Sequence, residues 1–385
     1  MATATTVQYS GKWTLQSQAQ AVAAGTWSGF PFLYIWGQGE SRQLPFSSAS
    51  NYSSPKQVGT GYWSNASQCD TQGAAIAQNG TLWTWGVNNQ GQLGLGNTTS
   101  YSSPKQVGSL TNWKIVSANA TSGSGFTVAL KTDGTLWSWG SNTYGQLGLG
   151  NRTLYSSPKQ IGALTNWASI STGTYGFVAA VKTDGTLWMW GANGAGQLGQ
   201  NITSYGASSP TQVGSLTNWQ TASCGSQQVF AVKTNGTLWS WGYNGGGQLG
   251  KGNQTNYSSP VQIGGLTTWL KASGGYSTGG AIKTDGTLWM WGASGTGALG
   301  LGNATYYSSP KQVGALTNWL NLSAGYYHTL ASKTNGTLWS WGYNAKGQLG
   351  LGNISMYSSP KQIGAGTGWS FVSAGKKQES LALTT

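Results

Sequence analysis

The stretch TNGTLWSWGYNAKGQLGLGN, residues 334–353, recurs in nearly the same form at residues 132–151 and 234–253. A fixed period of this kind is the signature of a repeat architecture. The chain of 385 residues is therefore predicted to form one array of seven units rather than several unrelated domains. The Trp-Gly pair of this stretch occurs every 49 to 54 residues, beginning at Trp36, Trp85, Trp139, Trp190, Trp241, Trp291 and Trp341.

Each unit contains four short strand-like segments separated by turn residues. They are W-x-x-x-S-x-G, an apolar run such as FVAAV, the TLWxWG segment, and YSSPKQ[VI]G. The Asp-Gly or Asn-Gly of K-T-[DN]-G lies between the second and third segments and is a strong hairpin signal, because such turns need positive φ. The 62 glycines and the short runs of Trp, Tyr, Val and Thr favour strands over helices. An all-β fold is predicted.

The two tryptophans of TLWxWG are at positions i and i+2, so both lie on the same side of the strand. A single four-stranded sheet leaves both faces uncovered. Packing sheets radially covers them, and closing the ring also removes the exposed sheet edges. The pairs expected to pack between neighbouring blades are Trp83 and Trp85, Trp137 and Trp139, Trp188 and Trp190, Trp239 and Trp241, Trp289 and Trp291, and Trp339 and Trp341.

These motifs resemble a known repeat. TLWSWGYNAKGQLGLGN followed by SSPKQIG, with SAGYYHTLASKTNG before it at residues 323–336, is similar to the RCC1-type repeat. The resemblance runs from about Phe32 to the C-terminus and implies a seven-bladed β-propeller with four-stranded blades. The chain departs from the family in two places: only His328 keeps the histidine after the small-Gly pair, and residues 37–45 lack the GQLG loop.

The two ends of the chain carry complementary parts of one unit. Residues 369–385 supply two strand-like segments without a following TLWxWG, and residues 32–37 supply that strand near the N-terminus. We predict that these ends pair in one blade and close the ring. The propeller domain is then 32–385. The N-terminal segment 1–31 contains a worn copy of the first two strands, so it serves either as a closing strand or as a tether.

The titratable residues are too few and too scattered for catalysis. The chain has one histidine and six acidic residues, and Asp133, Asp184 and Asp285 all lie in K-T-D-G turns. Cys69 and Cys224 lie three repeats apart, so they give neither a disulfide nor a metal site. We predict a protein that is not an enzyme and has no cofactor, no metal and no small-molecule substrate.

The net charge of +13 comes from lysines that are distributed around the ring. Nucleic-acid binders concentrate Lys and Arg on one face, so sequence-specific binding to nucleic acid is not expected. No run of about twenty apolar residues is present, which argues against a membrane-spanning helix. The N-terminus lacks the charged start and apolar core of a signal peptide, and ordinary export is not expected.

The two faces of the predicted ring differ in how much the repeats vary. The K-T-[DN]-G and LTN segments are nearly invariant, whereas the loop after W-x-x-x-S-x-G changes from unit to unit. Variable loops on a constant scaffold carry specificity in many folds; neutral drift is the alternative. The candidate partner-binding residues are Thr121, Ser122, Thr174, Tyr175, Gln227, Gln228, Tyr276, Tyr326, Tyr327, His328, Lys376 and Lys377.

These observations predict a non-enzymatic protein-interaction scaffold. Near-identical copies and scarce charge favour a structural and recognition component of a virus particle, such as a bacteriophage tail, fibre or capsid-decorating protein. It would be made in the host cytoplasm and located in the virion, with other virion proteins or a host surface receptor as partners. The first alternative is an intracellular, cytoplasmic RCC1-like adaptor or guanine-nucleotide exchange factor. The second is a carbohydrate-binding, lectin-like propeller.

The resemblance also implies functions that can be checked against this sequence. Guanine-nucleotide exchange by the founding members of the family implies an acidic face with long loops. With only six acidic residues, this chain has little from which to build one. The sequence therefore favours binding over exchange.

Overall fold

A computed structural model describes residues 31–40, 44–46, 50–120 and 125–385. Within these residues the strands form seven antiparallel sheets of four strands, and each sheet is one blade. The predicted seven-bladed propeller is confirmed. The innermost strands, which number blades 1 to 7, are β3 (Trp63–Gln68), β7 (Trp113–Asn119), β11 (Trp167–Gly173), β15 (Trp219–Cys224), β19 (Trp269–Gly274), β23 (Trp319–Ala324) and β27 (Trp369–Ala374).

The other three strands of each blade follow outward from the ring axis. The second strands are β4 (Gln72–Ala77), β8 (Phe126–Lys131), β12 (Phe177–Lys182), β16 (Gln228–Lys233), β20 (Thr278–Lys283), β24 (His328–Lys333) and β28 (Glu379–Thr384). The third are β5 (Leu82–Gly86), β9 (Leu136–Gly140), β13 (Leu187–Asn193), β17 (Leu238–Gly242), β21 (Leu288–Gly292), β25 (Leu338–Gly342) and β1 (Leu33–Gly37). The outermost are β6 (Tyr101–Gln106), β10 (Tyr155–Gln160), β14 (Ser204–Gln212), β18 (Tyr257–Gln262), β22 (Tyr307–Gln312), β26 (Tyr357–Gln362) and β2 (Tyr52–Gln57).

The two ends of the chain close the ring in blade 7. Strand β1 pairs antiparallel with β28, with Ile35 opposite Leu381, and the order of this sheet is β2-β1-β28-β27. Strand β27 also contacts β3 of blade 1. Ring closure by the two ends is therefore as predicted. The worn repeat copy expected at residues 13–25 lies outside the described residues.

The second tryptophan of each TLWxWG segment fills the space between blades. Trp241 is fully buried, and its Nε1 donates a hydrogen bond to the Gln197 carbonyl of the preceding blade at 2.9 Å. Gly199 of that blade has φ +70°, and a Cβ there would lie 2.9 Å from the same nitrogen, so the GQLG loop needs glycine at this position. Trp239, the first of the pair, is half-buried against the same cluster.

The K-T-[DN]-G turn has one geometry in blades 2 to 6, and the A-Q-N-G turn of blade 1 shares it. In blade 4 the Gly236 nitrogen donates to the Lys233 carbonyl at 2.9 Å, and Gly236 has φ +74°. Among the described residues only Asn201 has positive φ without being glycine, so Asn235 is not left-handed. The hairpin is therefore a three-residue loop with a left-handed glycine, rather than a two-residue loop with positive φ at both residues.

A serine ladder joins the innermost strands of neighbouring blades. The serine of W-x-x-x-S accepts a hydrogen bond from a backbone nitrogen of the next blade, as in Cys224 N to Ser171 Oγ at 2.9 Å. Ser273 and Ser323 accept equivalent bonds, each of 2.9 Å. The repeated serine thus connects blades around the axis.

The described residues include no helix that is long and apolar enough to cross a bilayer.

Candidate functional site

The inner loops and the long GQLG loops open on the same side of the ring, here called the variable face. Thr296 of a GQLG-type loop donates from Oγ1 to the carbonyl of Tyr327 in an inner loop at 3.0 Å. The K-T-[DN]-G turns and LTN segments meet on the other side, the constant face, where the Trp269 nitrogen donates to the Gly236 carbonyl at 3.0 Å. This arrangement matches the strand alternation expected from the sequence.

Tyrosines from three blades gather on the variable face. The rings of Tyr276 and Tyr326 are stacked, with centroids 3.8 Å apart and an interplanar angle of 21°. The Tyr327 ring meets Tyr326 edge-on at 4.2 Å, and Tyr343 lies 6.1 Å from Tyr327. The Tyr175 hydroxyl is 3.3 Å from the hydroxyl of Tyr276. These five residues are called the tyrosine cluster.

The cluster combines exposed rings with a concave surface. Tyr175 is 41% exposed and Tyr327 is 40% exposed. Beside them lies a cleft of about 220 Å³, and its lining includes Tyr276, Thr296 and Tyr306. Tyrosine contributes a large amphipathic contact area with only two side-chain torsions to order, and it is enriched at protein interfaces. The cluster is therefore suited to contact another molecule.

The loops that carry the cluster are tied together by hydrogen bonds between blades. The Tyr276 nitrogen donates to the Gly325 carbonyl at 3.1 Å, and the Tyr175 nitrogen donates to the Ser226 carbonyl at 3.3 Å. The Ser226 hydroxyl in turn donates to the Tyr276 carbonyl at 2.6 Å. Since each loop is held by the next, the tyrosines are positioned before any partner binds.

Hydrogen bonds and burial raise the pKa of two tyrosines of the cluster, Tyr175 and Tyr326, above the ordinary value. The bond to Tyr276, followed by burial, raises the pKa of Tyr175 to about 12. Burial is the first cause that raises the pKa of Tyr326, and bonds to Tyr276 and Tyr327 add to it. The cluster therefore presents aromatic rings with hydroxyl groups, and Tyr175 and Tyr326 are uncharged at neutral pH.

Two candidate lysines of blade 7 contact residues of other blades. Lys376 Nζ donates to the Thr172 carbonyl at 2.6 Å and to the Cys224 carbonyl at 3.3 Å, so this side chain crosses the axis to blades 3 and 4. Burial lowers the pKa of Lys376. Lys377 forms an ion pair with Asp70 of blade 1 at 3.1 Å. Lys376 thus connects blade 7 to blades 3 and 4, whereas Lys377 connects blade 7 to blade 1 and remains 48% exposed.

Other candidates from the inner loops also face the next blade. Gln228 is fully buried and donates from Nε2 to the Gly275 carbonyl at 2.8 Å. His328 is 1% exposed, and its Nε2 lies 2.9 Å from the Ser380 hydroxyl. Burial lowers the pKa of His328 to about 4. We assign Gln228 and His328 to contacts between blades rather than to a contact surface.

The remaining candidates differ in their placement. Thr174 is 4% exposed, and its nitrogen donates to the Gly225 carbonyl at 3.0 Å. Gln227 is half-buried, next to the buried Gln228. Thr121 and Ser122 lie outside the described residues. Of the predicted set, the tyrosines are the residues that the fold brings together at the surface.

Five lysines of the K-T-[DN]-G turns lie within the blades instead of forming a basic patch. They are 5% to 9% exposed, and each Nζ lies 3.6 to 3.9 Å from the centroid of a tryptophan ring of the same blade. Such cation–π contacts stabilise the ammonium group away from bulk water. The five lysines are Lys131, Lys182, Lys233, Lys283 and Lys333.

The acidic residues are also occupied within the fold. Glu40 forms an ion pair with Lys346 at 2.6 Å, and the bond from Lys346 is the first cause that lowers the pKa of Glu40 to about 2. Asp133 accepts hydrogen bonds from the Thr135 nitrogen and hydroxyl within its turn. Glu379 is fully buried. Among the described residues, no group of three or more His, Cys, Asp or Glu is placed to hold a metal ion.

Sequence comparisons identify relatives over part of the chain. An RCC1 domain-containing mitochondrial protein, RUG3 of Arabidopsis thaliana, is 36% identical over 37% of this chain and 33% of its own length. The probable E3 ubiquitin-protein ligase HERC6 of Homo sapiens is 33% identical over 37% of this chain and 14% of its own length. The matched segment thus spans a third or less of each of these proteins.

Solved structures share the fold over nearly the whole chain. Human WBSCR16 has a TM-score of 0.80 and 18% identity, over 92% of this chain and 100% of that one. Prp20p from Saccharomyces cerevisiae has a TM-score of 0.79 and 18% identity, over 93% and 92%. At this level of identity the similarity shows the fold alone.

The predicted location in a virion is wrong. The relatives above are proteins of plant and human cells, and one of them is mitochondrial, which points to a cellular protein. The composition that suggested a virus particle, with little charge and near-identical copies, has a simpler cause in the fold. Each copy repeats the same contact between blades, and these repeated contacts use Trp, Gly and Ser.

One family model covers most of the chain. The RCC1-like domain model matches residues 32–382, which includes all the strands described above except the last two residues of β28. The repeat motifs, the seven blades and the closure by both ends agree with this match. The chain belongs to the RCC1-like domain family.

Proposed function

We propose that this protein is a non-enzymatic, intracellular RCC1-like adaptor that binds a protein partner through the tyrosine cluster. The observation that carries the proposal is the cluster itself, in which Tyr276 and Tyr326 are stacked and Tyr175 and Tyr327 are exposed on a scaffold held by bonds between blades. Aromatic anchors that are fixed before binding lose little entropy when a partner orders them.

Two structural studies of one related yeast protein, Prp20p, support a protein as the partner. One describes the binding properties of yeast Prp20p to Gsp1p and histones, and another describes yeast RCC1 bound to Kap60. Gsp1p, histones and Kap60 are partners of the yeast protein. What we carry over is the class of ligand, because the tyrosine cluster has the neutral aromatic character of a protein interface.

An adaptor is favoured over a guanine-nucleotide exchange factor by the placement of the acidic residues. Asp133, Asp184 and Asp285 lie in turns of the constant face, Asp70 is paired with Lys377, and Glu40 is paired with Lys346. Among the residues that the structure describes, these contacts leave the variable face without the acidic surface that the resemblance implies for exchange.

The other functions considered from the sequence have less support. No comparison supports virion proteins or a host receptor as partners. A lectin-like propeller would present equivalent sugar sites in several blades, whereas the tyrosine cluster is a single group formed by blades 3, 5 and 6. A glycan array that shows several equivalent sites would favour the lectin instead.

The proposal is tested by comparing the two faces in an affinity capture. The Tyr326→Ser/Tyr327→Ser variant removes aromatic contact on the variable face. Leu266→Ser/Leu316→Ser removes two side chains that are 48% and 47% exposed in the LT segments of the constant face. Each tagged protein is expressed in the source cells, and captured proteins are quantified by mass spectrometry. We expect the tyrosine variant to lose the partner by about tenfold or more, because interface aromatics act as hot spots.

The leucine variant, which is the control, is expected to keep the partner. The unfolding temperature of both variants should lie within about 4 °C of that of the parent protein, as for other substitutions at the surface. Equal capture by the tyrosine variant, or loss of the partner only in the leucine variant, would contradict the proposal.

A further inference from the structure

A lysine occupies the same place in five consecutive blades. In blade 2, Lys131 lies opposite Trp113 in the pairing of β7 with β8. Its Nζ is 3.9 Å from the Trp137 ring centroid and 4.9 Å from that of Trp113. In blades 3 to 6 the equivalent distances are 3.6 to 3.9 Å and 4.7 to 5.1 Å. The fold therefore builds one lysine site between two tryptophans in each of these blades.

Blade 1 has the two tryptophans but lacks the lysine. Trp63 lies opposite Ala77 in the same register that joins Trp113 to Lys131. Trp83 Nε1 donates to the Thr81 hydroxyl at 2.9 Å, the bond that also orients the equivalent tryptophan in blades 2 to 6. The substitution of alanine for lysine thus leaves the surrounding frame in place.

A cavity lies where the lysine is missing. Its volume is about 480 Å³. We call it the blade 1 slot, and its lining includes Trp63, Ala77, Gln78, Asn79, Trp83 and Pro104. Gln78 and Asn79 are exposed, and they belong to the A-Q-N-G turn that corresponds to K-T-[DN]-G in the other blades. The slot therefore lies at the constant face.

Blade 7 differs from blade 1 in the same place. Thr384 lies opposite Trp369, and Tyr34 stands where the other blades have the first tryptophan of the pair. The Tyr34 ring packs against Trp369 at 5.2 Å. In blade 7 the residue opposite the inner tryptophan is also smaller than lysine, but an aromatic ring packs against that tryptophan. In blade 1 a cavity is found instead.

We propose that the blade 1 slot binds the side chain of a lysine from a partner protein. The ammonium group lies over the rings of Trp83 and Trp63, and the methylene groups pack on the same rings and on Pro104. The occupant is indicated by blades 2 to 6, in which the chain fills the equivalent place with lysine and with no other residue. A cation over an aromatic face and a buried apolar stem both favour this side chain.

The slot is independent of the tyrosine cluster because it lies on the opposite face. Burial lowers the pKa of Lys131, Lys182, Lys233 and Lys333, which agrees with a site that removes the ammonium group from water. A lysine that binds the blade 1 slot would lose hydration in the same way and gain the same two rings.

Binding is measured by NMR on the full chain with ¹⁵N-labelled tryptophan. The probe is N-acetyl-lysine methylamide, and N-acetyl-norleucine methylamide is its uncharged control. The signal of the Trp83 indole, identified by its absence from Trp83→Phe, is expected to shift with the lysine probe. We expect about tenfold weaker binding of norleucine because it lacks the cation–π contact. No shift with the lysine probe, or equal binding of the two probes, would overturn the proposal.

Two substitutions exchange the properties of blades 1 and 2. Ala77→Lys fills the slot with the chain's own lysine and is expected to abolish probe binding while raising the unfolding temperature. Lys131→Ala opens an equivalent slot in blade 2, where a second set of indole signals should shift. Binding that persists in Ala77→Lys would overturn the proposal.

Two further variants separate this proposal from its competitors. Tyr326→Ser is expected to leave probe binding unchanged, so failure of the adaptor proposal and failure of the lysine slot are distinguishable. Lys12 is the one lysine of the N-terminal segment 1–31. Shifts that appear only after Lys12→Ala would identify this lysine as the occupant, and that result would overturn the assignment to a partner.

Discussion

The two faces of the ring are built from the same repeats but differ in what the repeats contribute. On the constant face, five lysines make the same contacts with two tryptophans, and the turn glycines have φ between +74° and +77°. On the variable face, the equivalent inner-loop position holds Ser226 in blade 4, Tyr276 in blade 5, Tyr326 in blade 6 and Lys376 in blade 7. Residues that repeat stabilise the ring. Among the residues that differ, Ser226 and Lys376 bind other blades, whereas Tyr276 and Tyr326 form part of the tyrosine cluster.

The largest effect should come from the contacts that both faces share. Trp241→Ala removes a fully buried ring and its hydrogen bond to blade 3, so we expect a loss of about 3–5 kcal/mol in the free energy of unfolding. Trp239→Ala removes a half-buried ring and should cost roughly half as much. Denaturant titration of both variants measures the difference. Equal losses would contradict the assigned roles of the two tryptophans.

The single histidine gives a pH test of the inner-loop residues. Burial lowers the pKa of His328 to about 4 in the folded chain, compared with 6.5 for the exposed side chain. Below pH 6.5 the unfolded chain takes up a proton that the folded chain does not, so stability falls as the pH decreases towards 4. The loss amounts to about 3 kcal/mol.

The matched variant for this test is His328→Gln, because Gln228 occupies the equivalent position in blade 4. Its free energy of unfolding should vary less between pH 7 and pH 4 than that of the parent. The same pH dependence in both proteins would show that His328 is solvated. His328 would then again be a candidate for contact with a partner.

A smaller effect separates buried from exposed lysines. Lys182→Ala removes a stem and an ammonium group that lies 3.8 Å from the Trp188 centroid, and we expect a loss of about 1–2 kcal/mol. Lys159→Ala removes an exposed lysine 5.4 Å from Tyr155 and should cost about 0.5 kcal/mol or less. Thermal unfolding of the pair measures this. Equal losses of stability in the two variants would mean that burial in the K-T-[DN]-G turn does not determine how much a lysine contributes to stability.

Much of the fold could be predicted because its determinants are local and repeated. The i, i+2 spacing of Trp239 and Trp241 predicts which side of the strand packs against the neighbouring blade. Gly236 predicts the position of the hairpin turn. The lysine site was also visible in principle, since Lys233 precedes the turn in a position that pairs with Trp219. Aligning the repeats within the chain shows that Ala77 departs from this pattern.

The candidate site was harder to predict because it depends on contacts between distant repeats. Lys376 was expected at the surface, but it reaches the Thr172 carbonyl across the axis. The stacking of Tyr276 on Tyr326 depends on the angle between two blades, which no local pattern specifies. Gln228 and His328 were expected with the loops, yet their strand positions direct them into the next blade.

The central claim, that the tyrosine cluster of the variable face binds the adaptor's partner, is tested most directly by photo-cross-linking in cells. A photoreactive phenylalanine is placed at Tyr327 in one protein and at Leu316 in another; these positions are 40% and 47% exposed on opposite faces. We predict a covalent adduct with a partner protein from position 327 and none of that partner from position 316. The same adduct from position 316 alone, or equally from both positions, would contradict the account.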